Sequence, residues 1–246
     1  SYNQLVIKPD HIAAEVDGTS SATSPAVLAH VVDGAVYTTY QLWHLIHGAA
    51  KEEVQHLTVE LLSPALISQI LESPNQTDIM WALNHINGYI GLTPELQDKI
   101  IQFINNDNYS LGERAINAIN PIELRSDTLQ LLLLGKFNST NYSLKKLIID
   151  KIKKAPELND RVKMNLANSL KDLNGEILSR VLETFKEHKV AQPGIYQQIA
   201  ELLQKDNYFI SKDAYDFFED VDIKDKEIKK LLRKYETAQG LPHRKK

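Results

Sequence analysis

From about Pro25 onward, apolar residues return every three or four positions, and the runs break at clusters of Pro, Gly, Asn and Asp. That is the period of amphipathic helices that bury one face. The pattern predicts helices over roughly 25–47, 50–61, 64–73, 77–89, 94–105, 110–119, 126–136, 142–154, 159–171, 175–188, 193–204, 211–219 and 223–238, with no strand between them.

Shifting the chain against itself by 33 residues brings like residues together in several columns at once. One column holds Ile67, Ile100, Leu133, Leu166, Ile199 and Leu232, and a second holds Leu71, Ile104, Phe137, Leu170 and Leu203. Together they mark an apolar stripe on the first helix of each unit. The second helix carries Leu83, Ile116, Ile149, Leu182 and Tyr215, then Ile86, Ile119, Ile152, Phe185 and Phe218. Small or β-branched residues stand beside them at Ala82, Ala115, Ile148, Val181 and Ala214. The connecting turn also recurs, as Asp107-Asn-Tyr-Ser, Thr140-Asn-Tyr-Ser and Asp206-Asn-Tyr-Phe, with Leu173-Asn-Gly-Glu as its variant.

One helical hairpin cannot bury its apolar face alone, whereas stacked hairpins share a continuous core. The fold expected is therefore all-α, an α-α superhelix of about five to six hairpins with a 33-residue repeat. Residues 1–24, ending in Gly18-Thr-Ser-Ser-Ala-Thr-Ser-Pro25, have the composition of a linker or poorly ordered arm. Residues 25–61 are helical but out of register, an irregular N-terminal pair expected to cover one end. Residues 62–222 hold the repeats, and 223–246 supply a capping helix, with cations at Lys224, Lys226, Lys229, Lys230, Arg233 and Lys234, and a tail.

The repeat unit resembles the HEAT/armadillo pattern. From Ile100 to Ile119 it runs as an apolar helix, an Asp-containing turn at Asp107, and then Arg114-Ala-Ile-Asn-Ala-Ile at the second helix. Arg114 has a counterpart in Arg180 and Asp107 in Asp206, whereas Leu147 and Asp213 depart from the Arg column and Thr140 and Leu173 from the Asp column. The resemblance implies a solenoid whose second helices line a concave surface and whose partners are proteins. Members of that family also include bilin-attachment enzymes and base-excision DNA glycosylases, so the fold leaves function to the site.

Charge separates along the chain, with 3 basic and 11 acidic residues in the first 100 and 25 and 21 in the remainder. Neither part clusters cations as phosphate binding requires, so nucleic acid is disfavoured. No run reaches the roughly 20 apolar residues of a membrane span, and the chain reads as soluble, with cytoplasmic and periplasmic or secreted placement both open. The absence of cysteine excludes disulfides and thiol chemistry. Four Asn-x-Ser/Thr triplets, at Asn75, Asn108, Asn138 and Asn141, are expected to be chance occurrences in an Asn-rich chain.

Candidate chemistry concentrates on the second helices. Asn84, Asn117, Asp150, Glu183 and Asp216 form one polar column, a ladder able to hydrogen-bond an extended peptide or attract basic side chains. A solvated helix face would carry polar residues there too. The next column, Asn87, Asn120, Lys153, Lys186 and Glu219, changes sign along its length. Lys145, Lys146, Lys151, Lys153 and Lys154 form a basic cluster better read as solvation than as an anion site. Tyr109, Tyr142 and Tyr208 recur in the turn and are expected to pack over the neighbouring repeat.

His44, His47 and His56 are candidate metal ligands, since two histidines one turn apart and a third from the next helix could share an ion. Trp43 and Leu45 beside them suggest instead a packed interior. No phosphate-cradling Gly loop or nucleophile elbow is present. The reading is a non-catalytic protein- or peptide-binding scaffold with no cofactor, its partner an extended or basic segment and its oligomeric state open. The alternatives are a metal-holding or catalytic unit at the histidines, or a spacer domain of a larger protein.

Overall fold

The computed structural model describes residues 35–219 and 221–242. The expected arm over 1–24, the start of the first helix at 25 and the last tail residues fall outside them. Two compact units divide the chain after Leu61.

The described residues of the first unit form a helical pair, α1 (Ala35–His47) and α2 (Ala49–Glu60). Gly48 joins them where a Cβ would stand 2.3 Å from the His44 carbonyl oxygen, so no larger residue fits without moving backbone. None of the described side chains between 35 and 61 is buried. The packed interior expected around Trp43 and Leu45 is absent, since these residues are 56% and 64% exposed. Among the described residues of this unit, the two helices alone offer too little surface to enclose these side chains.

The second unit contains the repeats. Its hairpins are α3 (Pro64–Ile70) with α4 (Gln76–Asn84), α5 (Pro94–Gln102) with α6 (Tyr109–Ala118), and α7 (Asp127–Ser139) with α8 (Tyr142–Lys153). They continue as α9 (Asp160–Ser169) with α10 (Gly175–Glu187) and α11 (Pro193–Leu202) with α12 (Tyr208–Phe217), closed by α13 (Lys226–Gln239). First helices stack on first helices and second on second, giving two layers over one core. This is the all-α superhelix that the 33-residue columns predict, with no strand among the described residues.

Every member of the two first-helix columns is buried, as are Ala82, Ala115, Ile148, Val181 and Ala214 on the second helices. Tyr215 alone departs in its column, being half-buried with its hydroxyl donating to Glu236 at 3.2 Å. Each fully buried Ile or Leu contributes roughly 1.5–3 kcal/mol, so the repeat is a stability device before it is anything else.

The helix starts are fixed by a second, polar period. Asn75, Asn108, Asn141, Asn174 and Asn207 stand 33 apart and each caps the N-terminus of a second helix, its side-chain oxygen accepting a backbone N–H at 3.0–3.2 Å. Three of the four Asn-x-Ser/Thr triplets are thus capping turns. The cap at Asn207 starts α12 at Tyr208, three residues before the expected 211. Several other ends shift by about three residues, and the largest shift is at α4, which ends at Asn84 rather than 89; Gly88 follows at φ +86° in a turn that a continuing helix could not accommodate. Thr93, Ser126, Asn159 and Asp225 cap first helices in the same way.

Candidate functional site

The five ladder residues fall one to a helix on α4, α6, α8, α10 and α12. Asn84, Asn117 and Glu183 are exposed, and Asp150 and Asp216 half-buried. They lie on the open side of the second helices because Ala82, Ile86 and their equivalents turn the other side into the core. Successive second helices pack on one another along the stack, as successive first helices do.

The column three residues further on is no separate face. Three of its five members reach across to the ladder residue of the next repeat: Asn87 Nδ2 donates to the Asn117 carbonyl at 3.0 Å, Lys153 Nζ to Glu183 at 3.1 Å, and Lys186 Nζ to the Asp216 carbonyl at 2.6 Å. Lys153 also lies 3.4 Å from Glu187. The hydrogen bond to Glu183 holds the Lys153 ammonium above the ordinary lysine range, and burial only partly opposes it.

From the other direction the Arg column closes the same gap. Arg180 binds both oxygens of Asp150 at 2.6 Å and approaches Glu176 at 3.3 Å, and Glu176 in turn pairs with Lys146 at 3.2 Å. Asp213, which departs from that column, accepts from Ser179, and Lys212 pairs with Asp216. The carboxylate half of the ladder is therefore already engaged in ties between or within repeats. A shallow hollow of about 190 Å³ lies at its C-terminal end, lined by Ser179, Leu182, Glu183, Lys186, Asp213 and Asp216.

The mid-chain lysines are not a free basic cluster. Lys146 and Lys153 are paired, and Lys151 is buried with Nζ donating to the Ile119 carbonyl at 2.7 Å, where it satisfies the C-terminal end of α6. Burial, helped by nearby Lys154, lowers Lys151 to about 8. The turn tyrosines open the second helices and are 40–51% exposed, with the Lys146 ammonium 4.8 Å from the Tyr142 ring.

The candidate histidines belong to the first unit. His44 meets Trp43 edge to face with ring centroids 5.0 Å apart, His47 lies tilted against it at 5.2 Å, and His56 Nδ1 is 3.4 Å from Glu60. Among the described residues no group of three His, Asp or Glu comes together as a metal site. No helix among them is long and apolar enough to cross a membrane.

No family model matches the chain, and no curated protein sequence matches it. Among solved structures it is similar to a designed armadillo repeat protein, at 13% identity over 70% of this chain and 87% of that one, with a TM-score of 0.38. The chain is an α-helical repeat solenoid. Its own burial pattern, helix order and two-layer stacking carry that statement, and function rests on its own surface.

Sequence reasoning placed the ladder on one face but missed the ties that cross it. The signal was the sign of the neighbouring columns: lysines at 153 and 186 stand diagonally opposite Glu183 and Asp216, and an arginine at 180 opposite Asp150.

Proposed function

We propose that this solenoid is a non-catalytic scaffold that holds a protein or extended peptide along its second-helix face. The observation that carries the reading is the single polar column Asn84, Asn117, Asp150, Glu183 and Asp216, set one residue per helix on five stacked helices. A rigid polar row at repeat spacing suits a ligand that runs across the helices, because its backbone N–H and C=O groups recur along its length.

The two ends of the row play different parts. Asn84 and Asn117 offer amides that can both donate and accept, which suits a peptide backbone. Glu183 and Asp216 are held by lysines, and a basic side chain of the partner would take over those contacts by exchange rather than by filling an empty site. Exchange of one ion pair for another gives modest affinity and strong salt dependence.

Affinity capture with the intact chain beside an Asn84→Ala/Asn117→Ala/Glu183→Gln/Asp216→Asn variant, read by mass spectrometry, tests the proposal. A partner retained by the unaltered chain and lost by the variant supports ladder recognition. Equal capture by both would remove the ladder as the site.

A further inference from the structure

The last helix breaks the repeat pattern at two positions, and they lie on the surface where a further repeat would stack. In the internal repeats, Ile101, Leu134, Ala167 and Ala200 occupy one column of the first helix, and all four are buried. Gln97, Gln130, Lys163 and Tyr196 occupy the column four residues earlier, each half-buried or buried. These columns face the repeat that follows. Gln130 shows it directly, since its amide donates to the Glu157 carbonyl at 2.8 Å and accepts from the Asn159 N–H at 2.9 Å.

On α13 the same two columns hold Arg233 and Lys229, both exposed. Lys226, Lys230 and Lys234 flank them at helical spacing, so five cations share one stripe. Ile228, Leu232 and Tyr235 hold the opposite side in the core. Among the described residues, the only ion pair these five cations make is Lys230 with Glu227, at 4.0 Å.

We propose that this end face is a docking surface for an acidic helix from a partner protein, one that stacks on α13 with carboxylates opposite Lys229 and Arg233. The register supplies the shape of the occupant, because this side of a first helix receives another helix in every internal repeat. The charge supplies its chemistry. An apolar helix of the internal kind would bury two unpaired cations and is excluded, whereas a helix carrying glutamates one turn apart satisfies them and packs on their aliphatic stems. The surface is separate from the second-helix face, so its test does not depend on what binds there.

The test uses the full chain and a helix-stabilised peptide with glutamates at successive turns, beside the same peptide carrying glutamines, titrated by fluorescence anisotropy at low and at physiological salt. The acidic peptide is expected to bind and the glutamine peptide not. The Lys229→Glu/Arg233→Glu double variant should weaken binding by about tenfold or more, as removal of steering and pairing charges does elsewhere. Glu183→Gln/Asp216→Asn on the other face should leave the affinity unchanged. Both pairs are on the surface, and an unchanged thermal midpoint establishes that each variant folds. Equal binding of the acidic peptide by the Lys229/Arg233 variant, or no binding at low salt, would overturn the proposal and leave the cations as a solvated terminus.

Discussion

One terminal nitrogen of Arg180 on α10 stands 2.6 Å from both carboxylate oxygens of Asp150 on α8, 30 positions earlier in the chain. The pair ties one repeat to the next across the face that is the candidate binding surface. Asp150 raises the already high basicity of the guanidinium, with Glu176 adding to it, so the tie persists at any pH where the carboxylates are ionised. A double-mutant cycle with Asp150→Asn and Arg180→Gln should give a coupling of roughly 0.5–1 kcal/mol at low salt, shrinking as salt is added, because both side chains are about one-third exposed and screened. Zero coupling at low salt would mean that the pair orients side chains without stabilising the stack.

The Asn caps make a sharper prediction. Asn141→Ala and Asn174→Ala should each cost about 1 kcal/mol in urea unfolding, since each leaves a first-turn N–H without its acceptor. Gln192→Ala, at the equivalent start of α11, should cost far less, because the Gln192 side chain makes no capping hydrogen bond. Equal losses at all three positions would sink the capping account.

Much of this fold was legible because burial and sequence obey the same 33-residue period: Ile67 through Leu232 in one column are apolar in the chain and buried in the structure. The Asn turn was visible as a repeat, but its capping role needs backbone geometry. The ladder was legible as a face because polar residues follow the helical period. Its pairings were harder to see, since Lys153 with Glu183 and Arg180 with Asp150 join residues 30 apart rather than 33. That diagonal comes from the stacking of adjacent helices, which no single-helix pattern contains.

Two glycines inside helices should respond in opposite ways to alanine. Gly135 on α7 has nothing within 4 Å of the position of an added Cβ, so Gly135→Ala should stabilise by roughly 0.5–1 kcal/mol through reduced backbone freedom in the unfolded chain. At Gly112 on α6 an added Cβ would stand 3.1 and 3.2 Å from the two Leu144 methyl carbons. Leu144 is fully buried at the next repeat, so Gly112→Ala should lose most or all of that gain. Equal stabilisation at both sites would show that α6 and α8 have room to separate.

Gln130 is a buried amide whose hydrogen bonds all run between segments. It donates to Leu124 and Glu157 carbonyls at 2.7 and 2.8 Å and accepts from Asn159 at 2.9 Å, tying α7 to the loop of the following repeat. Gln130→Met keeps the volume but leaves those backbone groups without partners, at about 1–3 kcal/mol for each group that water cannot reach. Unfolding of this variant should be well below the parent's midpoint. A near-neutral effect would show that water enters and replaces the amide.

The pH dependence turns on Lys151, which is 8% exposed and lowered to about 8 from the ordinary 10.5. Below pH 8 both the folded and the unfolded chain hold this proton, and the cost of burying the ammonium is present in full. Between pH 8 and 10.5 the folded chain has released the proton while the unfolded chain retains it, so the unfolded state binds more protons and stability rises with pH. The rise amounts to roughly 3 kcal/mol in total. Lys151→Met removes the titration, and its stability relative to the parent should therefore fall steadily across that window, the contributions of the other groups cancelling in the difference. Urea unfolding of the two proteins at pH 7.5, 8.5 and 9.5 measures that difference. Parallel pH profiles would mean that Lys151 keeps an ordinary affinity for its proton despite its burial against the Ile119 carbonyl.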